Sequence, residues 1–328
     1  MKMGMRNGQA LLRVLHLRGE RFHYRFFPDI MQPGIYRTVL ILAAMSLGAV
    51  LPQAHTAAWL IRWLVVWMLF VVFLQTRLSR DALQRSHGVI LAANFALGFA
   101  AWGVGWMIGG RDLALAAFFC GITPTAIAAP VIVGFLDGRV SYVVGAFLLT
   151  NLSVAASLPV LLPIVMGRPT PDAFVQVTQS MGALVFAPFA IAWLVRRIYP
   201  EAAQWPRRLG GVSFGTWVIA IFLITANASE FLRTQTGGSH TIVVEIALLS
   251  LLVCIVNFSL GRLIGGSKFG LEASQSLGQK NTTFTIYLAM TYANPIVALG
   301  PTFYVIWHNL WNSWQLHRHA VRHQNPKR

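Results

Sequence analysis

The sequence predicts an all-α protein whose helices cross a membrane. Two observations support this fold class. Of the 328 residues, 56% are hydrophobic and only 11% are charged, whereas a soluble domain carries about 25% charged residues. The apolar residues are also gathered into runs near the length of about 20 residues that a helix needs to cross a bilayer. Short polar loops separate the runs, as expected for a polytopic protein.

The runs predict ten transmembrane helices, separated in several places by glycine or proline pairs such as Gly109-Gly110 and Gly237-Gly238. In chain order the predicted spans cover residues 37–53, 56–76, 86–108, 113–136, 140–166, 175–195, 211–230, 241–263, 271–292 and 295–315.

Basic residues predict the orientation of these spans. If the N-terminus is cytoplasmic, most of the 26 Lys and Arg residues fall in cytoplasmic segments. Only Arg111, Arg168 and Arg233 then fall in outer loops, with Arg62 and Lys280 inside spans. Positive charge accumulates on the cytoplasmic side of membrane proteins. The pattern therefore predicts cytoplasmic termini and an integral protein of the bacterial inner (plasma) membrane.

The spans divide the chain into four segments. Residues 1–36 form a basic cytoplasmic N-terminal segment, 37–174 a first set of five helices, 175–316 a second set, and 317–328 a basic cytoplasmic tail. The first segment mixes arginines with Leu, Phe and Tyr. It is either an amphipathic helix on an anionic leaflet or a loosely ordered tail that serves topology.

A polar heptad interrupts the ninth span at residues 277–283. It contains Lys280 between Gln279 and Asn281, followed by Thr282 and Thr283. A lysine at membrane depth is costly without a partner and usually marks function, although lysines near helix ends can reach the interface. The ammonium could hold an anionic substrate, or it could occupy the place of a bound cation. Gly278 in this heptad predicts a helix break.

The fourth span carries a second predicted break. Pro124 lies between Thr123 and Thr125, and Pro130 follows six residues later. Proline removes a backbone donor and clashes with the preceding turn. Freed carbonyls at membrane depth are tolerated only where protein or a water-filled cavity satisfies them. The sequence therefore predicts a binding region at the break in the fourth span, as it does at the break in the ninth span.

Each interrupted span is followed by a helix with a central asparagine, Asn151 in span five and Asn309 in span ten, where His308 precedes it. A histidine in a helix bundle is more often a packing residue than a ligand. The correspondence between the two halves is the pattern found in inverted-repeat transporters. The predicted substrate- or ion-binding residues are therefore Thr123, Thr125, Asn151, Gln279, Lys280, Asn281, Thr282, Thr283, His308 and Asn309.

Other function classes lack their signatures. The net charge of +16 lies in loops and termini rather than on one aromatic-rich face, so a nucleic-acid partner is not expected. No phosphate-binding glycine loop or catalytic pair is present, so an enzyme is not expected. Cys120 and Cys254 lie in apolar runs and are expected to be reduced packing residues. We expect no cofactor and assign no metal site, and sodium or a proton is the candidate coupling ion.

Three C-terminal motifs carry a resemblance to a known family, and they are Gln279-Lys280-Asn281, Ala293-Asn294-Pro295 and Trp307-His308-Asn309. Together they resemble the signature of the bile acid:sodium symporter family, which has Gln-Asn, a proline and His-Asn at similar spacing. The segment from Cys120 to Pro163 also resembles that family, and the resemblance covers about residues 37–318.

The resemblance implies ten helices in two inverted five-helix repeats. A core domain would hold spans three to five and eight to ten, and a panel domain would hold spans one, two, six and seven. Spans four and nine would be unwound and cross at the binding site. The implied activity is secondary transport of an organic anion by alternating access.

The sequence departs from the family at its sodium sites. The family has a glutamate shortly before the Gln-Asn pair, but Ser274, Gln275, Ser276 and Leu277 stand here, and Lys280 separates Gln279 from Asn281. The family's Ser-Asn pair in span four falls near Ala129-Pro130. Loss of a carboxylate and gain of an ammonium predict altered or absent sodium coupling.

These observations predict a secondary active transporter of a small organic anion, bile-acid-like or another carboxylate, with the lipid bilayer as its other partner. The alternatives are a proton-coupled or facilitated carrier of a neutral or amphipathic molecule, and a membrane sensor or scaffold that transports nothing. The sequence leaves open the substrate, the coupling ion, the direction of transport and the oligomeric state.

Overall fold

The structure is a computed structural model that describes residues 33–75, 83–126, 128–181, 187–205, 209–235 and 241–324. Within these ranges all regular secondary structure is helical, apart from one isolated antiparallel bridge. The α-helices are α1 (Pro33–Val50), α2 (Leu60–Gln75), α3 (Arg85–Ile122), α4 (Ala128–Phe135), α5 (Val140–Val165), α6 (Pro171–Met181), α7 (Ala187–Ile198), α8 (Gly210–Gln235), α9 (Thr241–Gly278), α10 (Thr282–Tyr292) and α11 (Pro295–Gln324).

The chain is an all-α membrane protein. Among the described residues, four helices are long and apolar enough to cross a membrane, namely α3, α5, α9 and the stretch Gly211–Thr234 of α8. Large apolar side chains such as Ile108, Leu152, Leu248 and Leu263 point outwards and are more than half exposed. Exposed apolar surface on this scale is unfavourable in water but matches the hydrocarbon of a bilayer.

Helix α3 is a helical hairpin rather than one straight rod. Its 38 residues include two with non-helical backbone angles, Gly109 and Gly110, and Gly110 has φ of +76°. The two halves pack so closely that a Cβ atom on Gly121 would lie 2.7 Å from the Cα atom of Gly98. Small residues thus let the second half return along the first and deliver Ile122 beside Asn94.

Helix α9 repeats this design over another 38 residues. Non-helical backbone angles occur at Gly266 and Phe269. A Cβ atom on Gly261 would lie 2.5 Å from the carbonyl oxygen of Ala273, so the two halves of α9 are also in close contact. Both hairpins end in a non-helical segment that leads into a short helix, α4 or α10.

The two hairpins pack against each other and against α11. The main apolar core lies between them, and Phe118, Phe119, Phe258 and Tyr304 are its largest fully buried side chains. The ends of both hairpins are therefore held inside the protein rather than at its surface.

Two predicted features differ from the observed helices, and two further predicted segments lie outside the described residues. Pro130 was predicted to break the fourth span, but it lies in the first turn of α4, where the missing N–H has no helical partner to lose. The last helix continues to Gln324, beyond the predicted start of the tail at residue 317. The basic N-terminal segment lies outside the described residues up to residue 32, as do residues 182–186 of the predicted sixth span.

Candidate functional site at the crossing of two helix breaks

The segments that follow α3 and α9 run side by side as a minimal antiparallel pair. The N–H of Ala126 donates to the carbonyl of Gln279, and the N–H of Asn281 donates to the carbonyl of Pro124, each at 2.8 Å. Thr125 and Lys280 form the bridge between these bonds. Each break thereby satisfies backbone groups of the other. A non-helical segment at membrane depth requires such partners for its backbone groups.

Thr125 fixes the first break against both neighbouring helices. Its hydroxyl donates to the carbonyl of Ser276 at 2.5 Å, and the hydroxyl of Thr150 donates to the Thr125 hydroxyl at 3.0 Å. The Thr125 N–H donates to Thr150 at 3.2 Å. Both threonines are buried. Thr125 therefore holds the crossing in shape and does not face an open space.

Thr123 connects the first break to α10. Its hydroxyl donates to the carbonyl of Phe119 and lies 2.8 Å from the hydroxyl of Thr285. Both threonines are fully buried, and Thr282 beside them is also buried. The hydroxyl pair joins the end of one hairpin to the helix that follows the other.

Lys280 is buried in the crossing, with 1% of its surface exposed. Its ammonium donates to Oδ1 of Asn94 at 2.5 Å and to the carbonyl of Gly121 at 2.9 Å. Asn94 also donates through Nδ2 to the carbonyl of Ile122 at 2.9 Å, which fixes the direction of its amide. Within the described residues Lys280 has no salt bridge to Asp or Glu. Glu272, an acidic candidate partner, instead accepts from the N–H of Arg139 at 2.8 Å.

Four of the predicted site residues are partly exposed and could meet a ligand. They are Asn151, Asn281, Thr283 and Asn309. The Asn151 amide donates to the carbonyl of Thr125 at 2.9 Å, so it contacts the first break directly. The amide of Asn309 donates to the carbonyl of Val305, in its own helix, at 2.7 Å. The first three residues lie at the crossing, whereas no described contact joins Asn309 to either break.

Helix α11 lines the second break with polar side chains four residues apart. The hydroxyl of Tyr304 donates to the carbonyl of Gly278 at 2.9 Å, and Nδ2 of Asn312 donates to Oε1 of Gln279 at 2.7 Å. His308 lies between them on the same face, is buried, and has no hydrogen-bond partner for Nδ1 among the described residues. Gln279 therefore has a structural partner, and His308 packs edge-on against the Tyr304 ring at 5.7 Å.

Three helix ends meet at the crossing, and they differ in how their backbone groups are satisfied. The C-terminal ends of α3 and α9 are already satisfied by internal donors, namely Lys280 at Gly121 and Tyr304 at Gly278. The N-terminus of α10 has no side-chain cap from Asn281. Because uncapped helix N-termini carry partial positive charge, this arrangement favours a negative group beside Asn281 and Thr283.

Sequence reasoning missed Asn94, Thr285 and Tyr304. A signal for Asn94 does exist in the sequence, because the pentapeptide Asn-Phe-Ala-Leu-Gly at residues 94–98 returns as Asn-Phe-Ser-Leu-Gly at 257–261. Both lie in the first half of a hairpin. Asn94 contacts the end of its own hairpin at Ile122, and Asn257 reaches the end of its hairpin through Tyr304 at 3.1 Å. The two asparagines thus occupy corresponding positions, and each connects the first half of its hairpin to the end of that hairpin.

No protein-family model matches this chain, and no curated protein matches it either.

Proposed function

We propose that the protein is a secondary transporter of a small organic anion that works by alternating access. The observation that carries the proposal is the crossing, where a buried ammonium with no carboxylate partner among the described residues and the uncapped start of α10 lie beside partly exposed polar side chains. Interrupted helices that meet inside a membrane bundle are the usual place where transporters bind substrates and ions.

The proposal includes an architecture of ten spans in two inverted five-helix repeats. It is supported by the two 38-residue hairpins, by the short helix that follows each break, and by the repeated Asn-Phe-x-Leu-Gly pentapeptide. Each half, with five spans, would enter the membrane from the opposite side to the other. Movement of one group of helices against the other would then expose the crossing to alternate sides.

The substrate would bind through Asn151, Asn281 and Thr283. The Asn281 amide and the Thr283 hydroxyl can donate to a carboxylate, and the N–H groups of the first turn of α10 add further donors. The Asn151 amide already donates to the carbonyls of Thr125 and Phe147, so Asn151 offers its Oδ1 as an acceptor for a substrate hydroxyl. The Lys280 ammonium would contribute through its field rather than by contact, since its donors are directed at Asn94 and Gly121.

A second candidate is a facilitated or proton-coupled carrier of a neutral molecule. The observation in its favour is that the partly exposed groups at the crossing are amides and a hydroxyl, while the Lys280 ammonium is buried. Neutral substrates need hydrogen-bonding groups but no counter-charge.

Flux into proteoliposomes tests both candidates. Purified protein would be reconstituted and supplied with labelled carboxylates, including a bile salt, and with neutral analogues, in sodium or choline buffer. We expect saturable uptake of at least one carboxylate at equal rates in the two buffers. Uptake of neutral analogues alone would favour the second candidate, and no uptake of either class would contradict transport.

A matched pair of variants localises the site. Asn281→Ala removes a partly exposed amide at the crossing and is expected to lower flux at least tenfold, the effect of about 1.4 kcal/mol in binding. Gln53→Ala removes an exposed amide distant in sequence, within the 3-10 turn Pro52–Ala57, and is expected to leave flux unchanged. Equal flux in both variants would place the site elsewhere.

A further inference from the structure

The Lys280 ammonium is held by an unusual set of partners for a buried charge. Its hydrogen bonds at 2.5 Å and 2.9 Å go to an amide oxygen of Asn94 and a backbone carbonyl of Gly121. Buried charges are normally paired with an opposite charge, because leaving water is costly. Here neutral oxygens and the C-terminal end of α3 replace the carboxylate.

These partners are the ligand type of a monovalent-cation site. Uncharged carbonyl and amide oxygens at the C-terminal end of an interrupted helix coordinate alkali cations in membrane transporters, where the helix dipole adds negative potential. The amide of Asn94 is also held in place by its bond to Ile122, so Oδ1 is already directed at the cation position. An ion of single charge could take the place of the ammonium without any change in these groups.

Asn257, the asparagine of the second pentapeptide, can be compared directly with Asn94. Asn257 corresponds to Asn94, is fully buried, and donates to the Tyr304 hydroxyl. Its Oδ1 has no hydrogen-bond partner among the described residues. In the first hairpin the same oxygen is satisfied by an ammonium that the other half of the chain supplies, 186 residues away.

We propose that Lys280 is a tethered cation that fills a monovalent-cation site formed by Asn94 Oδ1, the Gly121 carbonyl and the C-terminal end of α3. The chain thus carries its own cation where a soluble ion would otherwise bind. Shortening Lys280 opens this site to sodium. As an explanation of sodium-independent transport the inference rests on the proposed function, but its test measures binding and needs no substrate.

Thermal unfolding of the purified full-length protein in detergent tests the site. Each variant would be compared in sodium chloride and choline chloride at equal ionic strength. Lys280→Ala removes the ammonium and leaves room for an ion, so its midpoint should rise by roughly 3 °C in sodium, as ligand binding to the folded state predicts. The wild type should show no difference between the two salts.

Two variants control for loss of charge and loss of volume. Lys280→Met removes the charge but fills the space, and it should not respond to sodium. Lys268→Ala removes an exposed lysine of α9, the hairpin that precedes the Lys280 break, near the Phe269 ring, and should behave as the wild type. Adding Asn94→Leu to Lys280→Ala should abolish the sodium response, because the amide ligand is gone.

A separate variant keeps the proposal testable if Lys280→Ala does not fold. Asn94→Asp places a carboxylate against the ammonium in the otherwise unchanged chain, and a cation site should tolerate it far better than Asn94→Leu. An equal loss of midpoint in Asn94→Asp and Asn94→Leu would overturn the proposal, as would a folded Lys280→Ala with the same midpoint in both salts. Failed transport beside a sodium-responsive Lys280→Ala would contradict only the proposed function.

Discussion

Side-chain hydrogen bonds add to the backbone pair at the crossing, and the bond between Thr123 in the first break and Thr285 in α10 can be tested separately. The two hydroxyls lie 2.8 Å apart and both are fully buried. We expect Thr123→Val and Thr285→Val to be destabilising, with a coupling energy of about 0.5–1 kcal/mol in a double-mutant cycle. Unfolding of the detergent-solubilised variants measures it.

A control for this cycle is Thr178→Val. The Thr178 hydroxyl is exposed and donates to the carbonyl of Phe174, in its own helix, at 2.7 Å. Its loss should change the free energy of unfolding by less than about 0.5 kcal/mol, as is usual for surface positions. Strictly additive effects of Thr123→Val and Thr285→Val would show that the hydroxyl pair contributes nothing.

At the residue scale, the sequence could predict which side chains were unusual but not their partners. Lys280, Asn281 and the flanking threonines stand out because polar groups are costly in a membrane segment. That Lys280 contacts Asn94 depends on a pairing across 186 residues. A single sequence carries periodicity within a helix but no information on which helices become neighbours.

Glycine turns give each hairpin its shape, and Gly110 is a position where the backbone angles require glycine. Its φ of +76° and ψ of −154° lie in a region that other residues rarely adopt. A Cβ atom there would meet nothing within 4 Å. We therefore expect Gly110→Ala to cost about 1–3 kcal/mol purely through backbone strain.

The matched control is Gly103→Ala, in the first half of the same hairpin, where a Cβ atom also meets nothing. Its backbone is helical, so alanine should be neutral or stabilising by up to about 1 kcal/mol. Thermal midpoints of the two variants measure the difference. A Gly110→Ala midpoint equal to that of Gly103→Ala would show that the turn is not strained by a side chain.

At the element scale, composition and the positions of glycine and proline predicted most helices. Gly109-Gly110 was predicted as a boundary between two spans and is the turn of the first hairpin, while Pro124 and Gly278 mark the ends that the structure has at Ile122 and Gly278. Pro130 was misjudged because proline is tolerated in the first turn of a helix. The sequence shows that a proline is present, but not whether it lies in the first turn or in the interior of a helix.

For the whole molecule, charge distribution predicts that the C-terminus is cytoplasmic. Fusions to the C-terminus test this prediction, since α11 continues to Gln324, close to the end of the chain. We expect a fused green fluorescent protein to fluoresce and a fused alkaline phosphatase to be inactive in a bacterial host. The opposite result would invert the orientation or change the number of spans.

Alternating access can be measured at the crossing itself with a membrane-impermeant thiol reagent on inside-out and right-side-out vesicles. Thr283→Cys places a thiol at a partly exposed position, and Thr123→Cys places one at a fully buried position as a control. The native Cys120 and Cys254 are buried and should not react. We expect Thr283→Cys to be labelled from both sides of the membrane and to be protected by a transported anion. Labelling from one side only, or from neither, would contradict a transport site at the crossing of the two breaks.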